Sequence, residues 1–156
     1  MELELREVRD EDLEVFWVQV TDPGLRHMAA MTRAHHYDRD AFEAHWSKLR
    51  RDPTVVLRTV VADGVVVGNA AVFGPPQERE VTYLIGPEHW GRGIATAALG
   101  ALLDLVDTRP LHAGAAADNA GSIRVLEKCG FTVTGRTRDF ALARGEEVDV
   151  VLLTLT

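Results

Sequence analysis

Hydrophobic and polar residues alternate at the start of the chain. In ELELREV, Leu3 and Leu5 are spaced to face inward, with Val8 a further inward candidate beyond them, which predicts a strand. The period then lengthens. Leu13, Phe16, Trp17 and Val20 fall at i, i+3, i+4 and i+7, one face of a helix that Asp10 is placed to cap and TDPG to end. Phe42, His45, Trp46 and Leu49 repeat the spacing in a second helix from about Asp40, stopped by RDP. Between the two lies a long connecting segment, PGLRHMAAMTRAHHYDRD. TVVLRTVVADGVVVGNAAVF is β-branched and broken at Asp63-Gly64, which reads as a hairpin. GPPQERE is a loop and VTYLIG a further strand. A helix follows over 91–107, then a short strand in RPLHAGAAA. DNAGSIRVLEKCGF is a helix with Gly130 at its C-terminal stop. FTVTGRTRDF and EEVDVVLLTL close the chain as two strands joined near Arg144-Gly145. The order is β-α-α-β-β-β-α-β-α-β-β. The βαβ unit after the three-strand meander needs a crossover and hence some parallel pairing. The expectation is an α/β (α+β) fold: a mixed sheet with helices on both faces, in a single domain over 1–156.

Composition narrows the function. With 156 residues, 46% hydrophobic and 26% charged, the chain can bury a core. Its net charge of −7 disfavours general nucleic-acid binding. Cys129 is the one cysteine, so no internal disulfide forms, which fits a reducing compartment. MELELREVRDEDL is too charged for a signal peptide, and no apolar run approaches the roughly 20 residues that span a bilayer. A soluble, cytoplasmic protein without membrane attachment is expected. Six histidines are present, but no HExxH or Cys-x-x-Cys spacing, so no metal site is expected.

The chemistry concentrates in GPEHWGRGIATAAL, where a glycine-rich turn runs directly into a helix. A helix N-terminus leaves up to four backbone N–H groups without helical partners and carries roughly half a positive charge. An anion satisfies both, and glycine lets it approach the backbone. Gly91 and Gly93 hold this position, with Arg92 and Thr96 able to add side-chain donors; a tight turn without a ligand is the alternative. Gly86 to Gly91 has the gap of a P-loop, but Arg92-Gly93 follows instead of Lys-Ser/Thr. Gly91-Arg92-Gly93 begins a dinucleotide fingerprint, but Thr96 stands where its third glycine belongs. Neither ATP nor NAD is favoured. A second landmark follows: Asn119 where a strand meets a helix, and Ser122 three residues on. Asn119 or Asp118 as an N-cap explains part of it.

Together, YLIGPEHWGRGIATAAL and DNAGSIRVLEKCGF resemble the two signature segments of the GCN5-related N-acetyltransferases. The first has the general form Q/R-x-x-G-x-G/A and reads here Trp90-Gly91-Arg92-Gly93-Ile94-Ala95. Trp90 at the leading position is at home in the ribosomal-protein-alanine acetyltransferase-like branch. The resemblance implies a mostly antiparallel sheet of six to seven strands flanked by about four helices. It also implies that the anion is the pyrophosphate of acetyl-CoA, held by the backbone amides of Gly91, Arg92, Gly93, Ile94, Ala95 and Thr96. Leu84 and Ile85 on a splayed strand would pair with the pantetheine arm, and Asn119 would hydrogen-bond it. The implied reaction is attack of a primary amine, of a protein N-terminus or a small molecule, on the thioester.

An alkylamine has a pKa of about 10.4 and must lose a proton; the carbonyl oxygen needs a donor, and the departing thiolate needs a proton or hydrogen bond. Ser122 matches the serine that fills the last role in one branch. Where other branches place a tyrosine or a carboxylate, this chain has Leu126 and Gly114. Glu80 is the leading candidate base, acting through water, ahead of His35, His36 and Asp139. An α-amine, with a pKa of about 7.7–8.0, needs little help. The competing reading is a CoA-binding sensor that has lost its chemistry. Dimerisation through the C-terminal strands is left open.

Overall fold

The computed structural model describes residues 1–29 and 38–156. The expected elements form in the expected order, with one helix more. They are β1 (Leu3–Arg6), α1 (Asp12–Val20), α2 (Pro23–Ala29), α3 (Arg39–Arg51), β2 (Val56–Ala62), β3 (Val65–Phe73), β4 (Glu80–Ile85), α4 (Ile94–Leu105), β5 (Leu111–Ala116), α5 (Ala120–Lys128), β6 (Thr132–Ala141) and β7 (Glu146–Leu155). The addition is α2, in the segment read from sequence as a connection. Pro23 occupies its first turn and Asp22 Oδ1 accepts from the Leu25 N–H at 2.8 Å, so Asp-Pro-Gly starts a helix here rather than only ending one. His35 and His36 lie outside the described residues.

The cap of α1 also differs from expectation. Asp10 instead accepts from Arg50 of α3 at 2.6 Å. Glu11 is the N-cap and makes no side-chain capping bond; the Asp12 carboxylate instead accepts from the Arg9 N–H ahead of the helix, at 2.9 Å. Its carboxylate also accepts both terminal nitrogens of Arg6, at 2.7 and 2.9 Å, and the Thr59 hydroxyl at 2.7 Å. One buried carboxylate thereby ties α1 to β1 and β2.

The seven strands run β1-β2-β3-β4-β5-β7-β6. Every neighbouring pair is antiparallel except β4–β5. Alternation along the strands divides two apolar clusters between the two faces. Phe16, Val20, Phe42 and Trp46 of α1 and α3 pack on Leu57 and Ala71, with Phe16 and Trp46 stacked 4.8 Å apart. On the other face Ile94, Ala98, Leu99 and Leu102 of α4 cover Val60, Val67, Val72, Val81 and Leu153. α4 carries almost no polar residue, and fully burying each leucine contributes about 1.5–3 kcal/mol. β3 and β4 approach so closely that a Cβ on Gly68 would lie 1.9 Å from the Leu84 carbonyl oxygen. Among the described residues no helix is long and apolar enough to cross a membrane.

Candidate active site

β4 and β5 are parallel, yet they pair only at Glu80 and His112, where the His112 N–H donates to the Arg79 carbonyl at 2.8 Å. Beyond that bridge the strands diverge. β5 turns instead to β7, with which it pairs along its whole length. The gap opens into a cleft of about 480 Å³, lined by β4, β5, the glycine loop, α5 and the Leu25, Met28 and Ala29 side of α2. Main-chain groups along β4 alternate between β3 and the gap. The Arg79 carbonyl faces β5 and the Gly86 N–H faces β3, where it donates to Val67. This alternation turns Leu84 toward Asn69 of β3, and Tyr83 and Ile85 toward the gap. Leu84 therefore reaches the cleft with its side chain rather than its main chain.

The glycine loop runs through a single 3-10 turn, Pro87–His89, into α4. Gly91 and Gly93 have φ of 79° and 76°, the left-handed region, and Gly93 is the N-cap of α4. A Cβ on either would meet no protein atom within 4 Å. Backbone conformation, not protein crowding, selects glycine at both. Among the described residues no side chain caps α4, and its first turn has no acidic residue, so the amides of its N-terminus are open to an anion. Trp90 Nε1 donates to the Ile85 carbonyl at 2.8 Å, fastening the loop to the end of β4. Trp90, Gly91, Gly93, Ile94, Ala95 and Thr96 all line the cleft. Arg92 does not. Its guanidinium leans toward Asp63 in the β2–β3 hairpin, 3.5 Å away, so only its main chain remains with the loop.

Asn119 and Ser122 meet the glycine loop across the cleft. Asn119 is the N-cap of α5: its Oδ1 accepts from the Ser122 N–H at 3.2 Å, while its Nδ2 donates to the Met28 carbonyl at 3.2 Å. The same end of α2 is held by Arg144 from the β6–β7 turn. Arg144 Nε donates to the His27 carbonyl at 2.8 Å, and its terminal nitrogens form a bidentate pair with Asp118 at 2.6 and 3.0 Å. These bonds supply the last carbonyls of α2 with donors and fix that helix as a wall of the cleft.

Tyr83 is a site residue that the sequence reading passed over. It lies between Val81 and Ile85 on the α4 face, and its hydroxyl is 2.8 Å from Ser122 Oγ and 3.1 Å from the Ser122 carbonyl oxygen. Burial pushes the phenol up to about 12, outweighing the Ser122 hydrogen bond, which pulls the other way. The clue in the sequence was a polar-tipped aromatic at an inward-facing strand position. Leu126, at the position where another branch has tyrosine, is in the core at 1% exposure.

Other expected residues stand elsewhere. Glu80 is exposed and sits at the bridged end of β4, outside the cleft. Asp139 lies exposed on β6, the outermost strand. Gly114 does line the cleft and brings no carboxylate. Cys129, half-buried at the end of α5, has its thiol raised by burial and directed at the Thr96 carbonyl, 3.6 Å away in the first turn of α4. The described lining holds the cations Arg124 and Lys128 and the imidazole of His89 but no Asp or Glu, in a chain with 24 of them. Among the described residues no cluster of His, Cys, Asp and Glu could hold a metal ion.

The acetyltransferase (GNAT) domain family matches residues 2–132. A protein from Bacillus licheniformis named uncharacterized N-acetyltransferase p20 is 31% identical over 80 residues, 49% of this chain and 45% of that protein. The match thus spans less than half of that relative. In fold, the chain resembles the spermidine N-acetyltransferase of Vibrio cholerae, solved in complex with CoA and spermine. The TM-score is 0.85 at 20% identity, covering 98% of this chain and 94% of that one. It also resembles the ribosomal-protein-alanine N-acetyltransferase of Brucella melitensis, with a TM-score of 0.80 at 22% identity over 97% and 98% of the two chains. Those two enzymes are named for different acceptors, so the likeness is to the fold and not to one branch. Family match, strand splay and glycine loop agree, and the chain belongs to the GNAT acetyltransferase family.

Proposed function

We propose that residues 1–156 form one N-acetyltransferase domain that transfers the acetyl group of acetyl-CoA to a primary amine. The observation that carries this reading is the charge of the cleft. A chain of net charge −7 lines it with Arg124, Lys128 and the open N-terminus of α4, and with no carboxylate among the described residues. That favours a polyanion such as the phosphates of CoA. Lys128 precedes Cys129, whose thiol touches the first turn of α4, so the cations and the helix amides act on one region. In this reading Gly91, Gly93 and the amides through Thr96 hold the pyrophosphate. Tyr83 and Ile85 offer main-chain groups to the pantetheine arm, and Asn119 flanks it. Leu25, Met28 and Ala29 of α2 shape the acceptor side.

The chemistry is direct attack. The amine nitrogen bonds to the thioester carbon, a backbone N–H of β4 supports the oxygen, and the sulfur leaves beside Ser122. Glu80, at the bridged end of β4 and outside the cleft lining, does not support the reading of it as base. His89 is the one imidazole in the described lining. The lack of a carboxylate there favours a weakly basic acceptor, such as a peptide α-amine with a pKa of about 7.7–8.0, over a lysine side chain. Trp90 at the leading position of the glycine loop supports the ribosomal-protein-alanine branch. A homodimer through the C-terminal strands is supported by β6, an outer edge of 10 residues that exposes Val133 and Phe140.

Thermal unfolding with acetyl-CoA, ATP or NAD tests the reading. Ligand at about 100 times its dissociation constant adds ~2.7 kcal/mol of stability, a rise of several degrees for a domain of this size. A rise with acetyl-CoA alone, followed by thiol release on adding amines, is expected. A rise without thiol release from any amine in a broad panel would mark a CoA sensor instead. No rise with folded protein would refute both.

A further inference from the structure

Ser122 does not stand alone in the cleft, and its hydroxyl is not free to point anywhere. Tyr83 has one hydroxyl hydrogen and two acceptors within reach, Ser122 Oγ at 2.8 Å and the Ser122 carbonyl at 3.1 Å. Ser122 has one hydroxyl hydrogen too, and its main chain is fixed by the Asn119 cap. Two arrangements satisfy these atoms. In one, Tyr83 donates to the carbonyl and Ser122 donates back to Tyr83, so the serine hydrogen points away from the cleft. In the other, Tyr83 donates to Ser122 Oγ and the serine hydrogen is released to the cleft. They differ by rotation of two hydroxyl hydrogens, with no movement of heavier atoms. An acceptor that cannot donate, such as a thiolate, selects the second.

We propose that Tyr83 is a positioning residue for Ser122: it donates its hydroxyl hydrogen to Ser122 Oγ and so commits the serine hydrogen to the leaving sulfur. The proposal rests on the acetyltransferase reading and deepens it. Both residues line the cleft, and the phenyl ring of Tyr83 is held between β4 and the core beneath α4. The buried phenol stays protonated far above neutral pH, so the pair supplies hydrogen bonds and not a proton. The balance follows. The N–C bond forms, the C–S bond breaks, and the electron pair leaves on sulfur as a thiolate held by the Ser122 hydrogen. The proton carried by the attacking nitrogen in the tetrahedral adduct passes to solvent, leaving a neutral amide. A thiol, with a pKa of about 8.5, is a good enough leaving group for a hydrogen bond to suffice.

The test is steady-state thiol release by wild type, Tyr83→Phe, Ser122→Ala and the double variant, using acetyl-CoA and an accepted amine. Tyr83→Phe is expected to lower kcat about tenfold, the worth of one well-placed hydrogen bond, with the KM for acetyl-CoA unchanged. The double variant is expected to be no slower than Ser122→Ala, because Tyr83 acts through the serine. Unchanged kcat in Tyr83→Phe, multiplying losses in the double variant, or a matching rise in the KM for acetyl-CoA would each overturn the proposal. A second probe guards against misfolding. Tyr37 and Tyr83 are the only tyrosines, so 3-fluorotyrosine in a Tyr37→Phe background places a more acidic phenol at 83 alone. A higher kcat than the unfluorinated parent is expected, and an equal or lower one overturns the proposal. Wild-type protein that binds acetyl-CoA yet releases no thiol with any amine overturns the acetyltransferase reading as well.

Discussion

Replacing Asp12 with asparagine isolates the charge that anchors α1. Asp12 is 1% exposed and accepts from Arg6, the Arg9 N–H and the Thr59 hydroxyl. Burial by itself pushes this carboxyl up. The hydrogen bonds from Arg6, Arg9 and Thr59 outweigh it and bring the group from 3.8 down to about 2. A carboxylate whose pKa is depressed by folding contributes stability in full above its unfolded value and loses it as pH falls toward the folded one. The separation between 3.8 and about 2 corresponds to ~2 kcal/mol at pH 7, with about half of that left at pH 3. Asparagine keeps the shape but not the charge, so it behaves as Asp12 does once protonated. Urea denaturation followed by tryptophan fluorescence reads the difference, because Trp46 stacks on Phe16 of α1. The variant is expected to be ~2 kcal/mol less stable at pH 7, about 4–8 °C in Tm, and the gap to shrink to about 1 kcal/mol at pH 3. A gap that is the same at both pH values would refute the electrostatic account and leave only shape and packing.

Two glycines of the α4 region should respond with opposite sign. Gly93→Ala forces a left-handed φ on alanine and is expected to cost ~1–2 kcal/mol and to shrink the thermal shift given by acetyl-CoA. Gly100→Ala, mid-helix with nothing within 4 Å of its Cβ, is expected to add ~0.5–1 kcal/mol without altering that shift. Arg144→Ala removes the donors to His27 and Asp118, and steady-state kinetics are expected to show a several-fold rise in the acceptor KM with that for acetyl-CoA little changed. Arg124→Gln combined with Lys128→Gln is expected to weaken acetyl-CoA about tenfold and to flatten the salt dependence of binding, read by titration at two ionic strengths.

Much of this architecture was legible because its signals are local. Period-2 and period-3.6 patterns place all seven strands and four of the helices, and Asp118-Asn119 directly before an amphipathic run marks a cap, which the structure assigns to Asn119. What escaped depended on distant parts of the chain. Asp22-Pro23-Gly24 carries both stop and start signals, and α2 forms there because Arg144 and Asn119, more than 90 residues away, supply donors to its end. Glu80 looked like a base because it begins the right strand. Only the pairing of that strand with His112 shows that its start is the closed end of the gap. Tyr83 sat one residue from the expected pair Leu84 and Ile85. Which of the three faces the gap is fixed by register with β3, a property of two strands that neither sequence segment states alone.

The bridge at Glu80 and His112 has a mechanical meaning as well. β1 to β4 form one continuous ladder, β5, β7 and β6 another, and a single point of pairing joins them. The seven strands are one sheet by outline and two by hydrogen bonding. Load applied between β1 and β7 falls on that seam and on the apolar cluster under α4, which draws side chains from both ladders. The fold therefore concentrates its tear line where it opens its cleft. A bound chain whose amides bridge Tyr83 or Ile85 to the β5 side would stitch the two ladders together, so occupancy of the cleft would register as resistance to shear.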